Sequence, residues 1–237
     1  QVIFMEKILQ IGEGNFLRAF FDYYIQLANE TGDYNGKVVI CQPRTNNKVI
    51  NALNAQNCNY DVVLRGRHCG EVVDKRIEIN CVSRCIDSSI DFDSVVAVAK
   101  SDNTEIIVSN TTEAGITFNP DDEVDNLLSA SFPAKLAFLL YNRYLANGKD
   151  IVILPVELID NNGDTLKKCI LQYGELFTFG EGFADYVNTK CHFCNTLVDR
   201  IVTGYPVGDA DPCAVACEPY ESFVIQADDY AKSVLPF

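Results

Sequence analysis

Between Lys7 and Phe20 the chain reads KILQIGEGNFLRAF: a short apolar run, two glycines one residue apart, and a stretch with helical spacing. Few folds accept that succession, because a buried strand that turns directly into a helix needs glycine at the turn. Ile8, Leu9 and Ile11 supply the strand. Gly12 permits the sharp turn, and Gly14 lets the backbone approach a ligand without a Cβ in the way. Asn15–Gln26 is expected as a helix whose first N–H groups, reinforced by the helix dipole, suit a phosphate. The dinucleotide fingerprint G-x-G-x-x-G would place its third glycine at position 17, but Leu17 stands there and Arg18 follows. The match is partial, and an ordinary strand–helix turn is the competing interpretation.

The rest of the chain alternates in the same way. Lys37–Cys41, Glu105–Ser109 and Ile151–Leu154 are nearly continuous apolar runs, suited to parallel strands covered on both faces. Asn46–Ala55, Phe92–Lys100 and Pro133–Ala146 have helical spacing, with Pro133 placed for a first turn and Gly148 just beyond the end. Tyr60–Leu64 and Glu71–Ile79, rich in Val and Ile, are expected as additional strands joined through Gly66 to Gly70. The fold class that follows is α/β, a Rossmann-type doubly wound and mainly parallel sheet with helices on both faces and extra strands inserted after the second strand. Residues 1–203 are expected to form a dinucleotide-binding domain. Residues 204–237, which include Asp209, Asp211, Pro212 and Pro219, are expected as a linker and the start of a second domain, with Phe223–Ile225 beginning the connection.

In such sheets ligands sit outside the carboxyl ends of the strands. That rule singles out Ser109–Gly115, which contains Asn110, Thr111, Thr112 and Glu113, and Pro155–Asp160, which contains Glu157. Both segments offer carboxylates or hydroxyls to that edge, although Glu113, Glu157 and Asp160 equally suit helix caps or solvated loops. An NAD-specific domain usually carries an acid after its second strand for the ribose hydroxyls. Here Cys41-Gln42-Pro43-Arg44-Thr45 carries none, and Arg44 is open to a 2′-phosphate or to a role as an exposed loop charge.

Composition excludes several partners. A formal net charge of -14 over 237 residues argues against nucleic acid or an anionic membrane, both of which reward clustered Lys and Arg. Val2–Met5 is too short for a signal peptide, and no apolar run approaches the roughly 20 residues that span a bilayer. A soluble cytoplasmic protein is expected, and with it reduced, mostly buried thiols for the ten cysteines. Cys191-His192-Phe193-Cys194 with Cys213 and Cys217 is the one cluster that resembles a zinc site. The C-x-x-x-C spacing of the second pair and the lack of further ligands favour core cysteines and no metal.

GEGNFLRAF, SNTTEAGI, PVELIDNNGD and CNTLVDRIVTGYP, in this order, resemble the amino-terminal half of the mannitol dehydrogenase family. Val198–Ile201 reads VDRI, the family's signature. Glu157-Leu158-Ile159-Asp160 with Asn162-Gly163 is closer to the tagaturonate-reducing branch than to mannitol or mannonate enzymes, which typically carry Asn where this chain has Leu158. The resemblance implies reversible hydride transfer between NADH and the ketone of a hexuronate-derived sugar acid, tagaturonate to altronate, with NADP not excluded. It places Gly12, Gly14, Asn15, Phe16 and Arg18 in the phosphate turn, and Asn110, Thr111, Thr112 and Glu113 on the nicotinamide and substrate side. Asp199 and Arg200 fall near the cleft, either as a partly buried ion pair or in substrate contact. The family's catalytic K-x-x-x-x-N-x-x-H motif belongs to a helical second domain. This chain lacks it: Lys190 precedes Asn195 correctly, but Val198 stands where His belongs, and His68 does not follow a lysine at that spacing. The expectation is therefore a cofactor-binding fragment with no catalytic residue of its own, inactive without its carboxy-terminal domain. A related polyol or sugar-acid dehydrogenase, or a non-catalytic nucleotide-binding module, remain as alternatives.

Overall fold

The computed structural model of the chain describes residues 3–42, 48–112 and 114–237; Arg44 and Glu113 lie outside the described residues. The apolar runs become strands β1 (Met5–Ile11), β2 (Gly36–Cys41), β3 (Tyr60–His68), β4 (Glu71–Ile79), β5 (Val82–Ile86), β6 (Ile106–Ser109), β7 (Ile151–Pro155) and β8 (Cys191–Phe193). Six of these form one sheet in the order β5-β2-β1-β6-β7-β8, and every pairing in it is parallel. The winding direction reverses between β1 and β6, so the switch point lies where the glycine turn leaves β1.

Alternation explains why these runs are continuously apolar. Ile8, Val38, Ile40, Ile106, Val108, Val152 and Leu154 enter one core, while Leu9, Ile11, Val39, Ile107, Ile151 and Ile153 enter the other. Successive side chains point to opposite faces, and here both faces are covered. The first core is closed by α1 (Asn15–Ala19), α2 (Phe21–Thr31) and α3 (Lys48–Ala55). The second is closed by α4 (Phe92–Ala99), α5 (Phe132–Ala146), α6 (Asn162–Leu176) and α7 (Glu181–Thr189). Ser131 caps α5, accepting from Ala134 N, with Pro133 in its first turn. Among the described residues no helix is long and apolar enough to cross a membrane.

The structure differs from expectation in three places. The helix expected over Asn15–Gln26 breaks at Phe20 (φ -121°, ψ -71°), which separates α1 from α2 and buries Phe20 completely. β3 does not end at Leu64 but runs through Gly66, and its hairpin turn is Cys69–Gly70, both at positive φ, as a two-residue turn of type I′ requires. The segment expected as linker carries β11 (Val215–Cys217) and β12 (Ser222–Gln226), and α8 (Asp229–Val234) follows them. With β10 (Val202–Gly204), β11 joins β3 and β4 in a second sheet; β12 pairs with β9 (Asn195–Asp199) in an antiparallel ribbon. Cys213, Val215, Cys217 and Ala231 are all buried in the first core.

His192 helps to seat α8. Its Nδ1 lies 2.6 Å from Asp228 Oδ2, its Nε2 2.9 Å from Asp150 Oδ1, and its ring stacks on Tyr230 at 4.3 Å. Asp228 also caps α8, accepting from Ala231 N at 2.8 Å. The cysteines of the candidate zinc cluster are divided by the main sheet: Cys191 is in the second core, and Cys194, Cys213 and Cys217 are in the first. Among the described residues, no three His, Cys, Asp or Glu are grouped to hold a metal.

Candidate functional site at the carboxyl edge of the sheet

The two glycines of the turn do different work. Gly12 sits at φ +132°, and a Cβ on it would lie 3.1 Å from the Asn110 carbonyl oxygen and 3.2 Å from Leu17 Cδ1. Its own N–H donates to the Cys41 carbonyl at 2.9 Å, so the turn is stitched to β2 as well as packed against the β6 segment. Gly14 caps α1 in an extended conformation (φ -65°, ψ 163°) that any residue could adopt. A Cβ there would meet nothing within 4 Å, which leaves the exposed edge of the turn bare. Leu17, at the place of the usual third glycine, is buried in the first core.

Arg18 is turned away from that edge. Only 4% exposed, it donates from Nε to the Glu13 carbonyl, from Nη1 to the Cys213 carbonyl at 2.6 Å and from Nη2 to Asn15 Oδ1 at 2.8 Å. Its guanidinium braces the turn from behind and lies over the Tyr60 ring. Gln10, fully buried, donates from Nε2 to the Gly12 carbonyl at 3.1 Å.

The β6 and β7 segments meet through Glu157. The side chain is 3% exposed; Oε1 accepts from Thr111 N and Thr111 Oγ1, both at 3.1 Å, and Oε2 accepts from Ser109 Oγ at 3.2 Å. Burial pushes this carboxyl above its ordinary pKa, and the hydrogen bonds it accepts work against that shift. Asn162, a position in the quoted ELID–Asn–Gly stretch to which the sequence assigns no role, is fully buried behind it. Its Nδ2 is 3.0 Å from the carbonyls of Pro155 and Glu157 and 2.9 Å from Thr196 Oγ1, while its Oδ1 accepts from Thr196 N at 2.8 Å. One amide thus fastens the β7 segment and the start of α6 to β9. The following Gly163 has no room for a Cβ, which would come 2.5 Å from the Cys194 carbonyl oxygen.

A cavity of about 550 Å³ lies between these segments, lined by Phe16, Asn110, Thr112, Val156, Glu157, Leu158, Val198, Asp199 and Arg200. Asp199 is exposed at its wall. Arg200 does not pair with it: the Arg200 side chain points inward, donating to the carbonyls of Glu218 (3.1 Å) and Ala19 (2.8 Å) and to Glu221 Oε2 (2.9 Å). Its charge also lies 4.6 Å from the Tyr23 ring centroid. The ion pair that was one of the two alternatives for Asp199 and Arg200 is absent, because Glu221, brought by the segment before β12, takes the guanidinium.

A six-stranded parallel sheet wound on both faces, with a glycine turn at its switch point, defines a Rossmann-type domain. The family model for the mannitol dehydrogenase Rossmann domain matches residues 6–235, and the chain belongs to that family. It is 41% identical over 246 aligned positions to altronate oxidoreductase of Bacillus subtilis (strain 168), covering 98% of this chain and 51% of that protein. The altronate oxidoreductase of Bacteroides thetaiotaomicron is 39% identical over 94% of this chain and 47% of its own length. The chain thus spans about half the length of the curated relatives it matches. Among solved structures, Pseudomonas fluorescens mannitol 2-dehydrogenase in ternary complex with NAD and D-mannitol shares the fold with a TM-score of 0.82 at 18% identity, over 94% of this chain and 49% of that one. A D-sorbitol dehydrogenase in substrate-free form gives a TM-score of 0.79 at 18% identity, over 94% and 50%.

Proposed function

We propose that this chain is the NAD(H)-binding half of an oxidoreductase that reversibly reduces tagaturonate to altronate. The observation that carries this is the convergence, at the switch point, of Phe16, two residues beyond Gly14, with Asn110, Thr112 and the Val156–Leu158 segment around one cavity. The similarity to altronate oxidoreductases over nearly the whole chain supports the substrate class. In this reading Gly12, Gly14, Asn15 and Phe16 hold the pyrophosphate, with close backbone approach at Gly14. Asn110, Thr111 and Thr112 border the nicotinamide, and NADH, when bound, supplies the hydride. Asp199 faces the substrate, where an exposed carboxylate accepts hydrogen bonds from sugar hydroxyls. Arg18 and Arg200 hold the scaffold. The proton for the developing alkoxide comes from the carboxy-terminal half, since a ketone that receives hydride needs a donor at its oxygen. A cytoplasmic enzyme agrees with ten unpaired cysteines.

Titration of the chain with NADH and NADPH tests the cofactor: NADH is expected to bind more tightly, and the opposite order would reverse the assignment. Turnover of the longer protein with tagaturonate, fructuronate and fructose tests the substrate. Preference for either of the latter two would reassign it within the family.

A further inference from the structure

We propose that Glu157 is a positioning residue that ties the β6 segment to the β7 segment and so fixes the cavity wall against which the nicotinamide end of the cofactor rests. This rests on the cofactor reading above. The Glu157 carboxylate holds both the last residue of β6, through Ser109 Oγ, and the first threonine beyond it, through Thr111 N and Oγ1. Three of the roughly four acceptor positions of a carboxylate are thereby taken within the chain, which leaves little for a ligand. The next residue, Thr112, lines the cavity and stands at φ +154°, a region that a β-branched residue occupies only when its surroundings hold it there.

Glu157 is itself anchored. Its carbonyl accepts from Asn162 Nδ2 at 3.0 Å and from Ile159 N at 2.8 Å, and Asn162 is fully buried. The contacts run from Asn162 through Glu157 to Thr111. Thr112 then carries the constraint into the cavity.

Calorimetric titration of the chain with NADH and with ADP-ribose, which lacks the nicotinamide, tests the assignment in Glu157→Ala and Glu157→Gln. Glu157→Ala is expected to weaken NADH about tenfold, the loss of hydrogen bonds to one charged group, and to leave ADP-ribose within about twofold. Glu157→Gln keeps a side-chain oxygen for both Thr111 donors and is expected to restore most of the affinity. Equal losses for the two ligands, or unchanged NADH affinity in a folded Glu157→Ala, would overturn the proposal. If Glu157→Ala does not fold, Thr111→Val removes a single donor and should show a smaller loss confined to NADH; a loss shared with ADP-ribose, or none, counts against the idea. Amide exchange without nucleotide separates this from the cofactor reading. Faster exchange at Thr111 in Glu157→Ala is expected, with exchange close to wild type in Glu157→Gln; unchanged exchange in a folded Glu157→Ala, or exchange in Glu157→Gln that is much faster than wild type, refutes the tie. A wild-type chain that binds ADP-ribose but not NADH would refute the nicotinamide role, while one that binds neither would refute the cofactor reading and this inference with it.

Discussion

Asp22 lies fully buried in α2, with Oδ2 2.7 Å from the Tyr60 hydroxyl, and that hydroxyl is also 2.9 Å from the Arg18 carbonyl. One phenolic hydrogen cannot serve both acceptors. A protonated Asp22 resolves this by donating to Tyr60, which then donates to Arg18. Burial accordingly pushes the Asp22 carboxyl up to about 7, against the opposing pull of Tyr60 and Arg18. Between the ordinary carboxylate range and pH 7 the folded chain binds a proton that the unfolded chain does not. The stability contributed by this group therefore falls as pH rises through that window and is level above it, a difference of about 4 kcal/mol. Asp22→Asn, which keeps the shape and a donor, is expected to raise the melting temperature at pH 8 and change it little at pH 4; an equal shift at both would contradict the protonated state. Arg200 and Asp199 make a second residue-scale test. Arg200→Ala strands the buried Ala19 carbonyl and Glu221 and should cost about 3–5 kcal/mol in denaturant unfolding. Asp199→Ala, at an exposed position, should stay within about 0.5 kcal/mol while reducing turnover of the longer protein.

The glycine turn is the element whose sequence carried the most information, and its two glycines make separable predictions. Gly12→Ala is strained by its φ and by the Asn110 carbonyl, and is expected to destabilise the chain by about 1–3 kcal/mol. Gly14→Ala meets no neighbour and should melt close to wild type, yet weaken NADH binding because its methyl group occupies the bare edge. Calorimetry and melting curves on both variants check this. β1–β4, β6, β7 and α3–α5 were legible because continuous apolar runs, alternation and helical spacing are local properties, whereas β5 and β8–β11 are too short or too broken by polar residues to show either. The break at Phe20 was not, because a helix ends there to bury an aromatic ring against Phe16, Tyr24 and Phe223, and Phe223 arrives from far along the chain. Asn162 was likewise invisible as a fastener, since its partners on β9 lie 34 residues away.

At the scale of the molecule, one edge of the fold stays apolar. Leu197 and Val224 stand opposite each other on the β9–β12 ribbon, 66% and 56% exposed, and Leu158 at 64% lies on the rim of the cavity that β9 also lines. Such a surface associates, and the net charge of -14 opposes it by repulsion that salt screens. Light scattering over a wide concentration range is expected to show mass rising above 26.4 kDa, more so at high salt. Leu197→Lys with Val224→Glu should hold the chain monomeric, and a constant mass for the wild type would count against the apolar edge. By itself the sequence determined the parallel sheet, its two covered faces, the glycine turn and the two segments at its carboxyl edge, because each is written in residues near one another. Only the tertiary structure decided which charges face the cavity. Arg18 meets the Cys213 carbonyl 195 residues away and Arg200 meets the Ala19 carbonyl 181 residues away, so both guanidiniums leave the site to hold the scaffold. A buried cation goes where unpaired carbonyls are, and no local pattern records that.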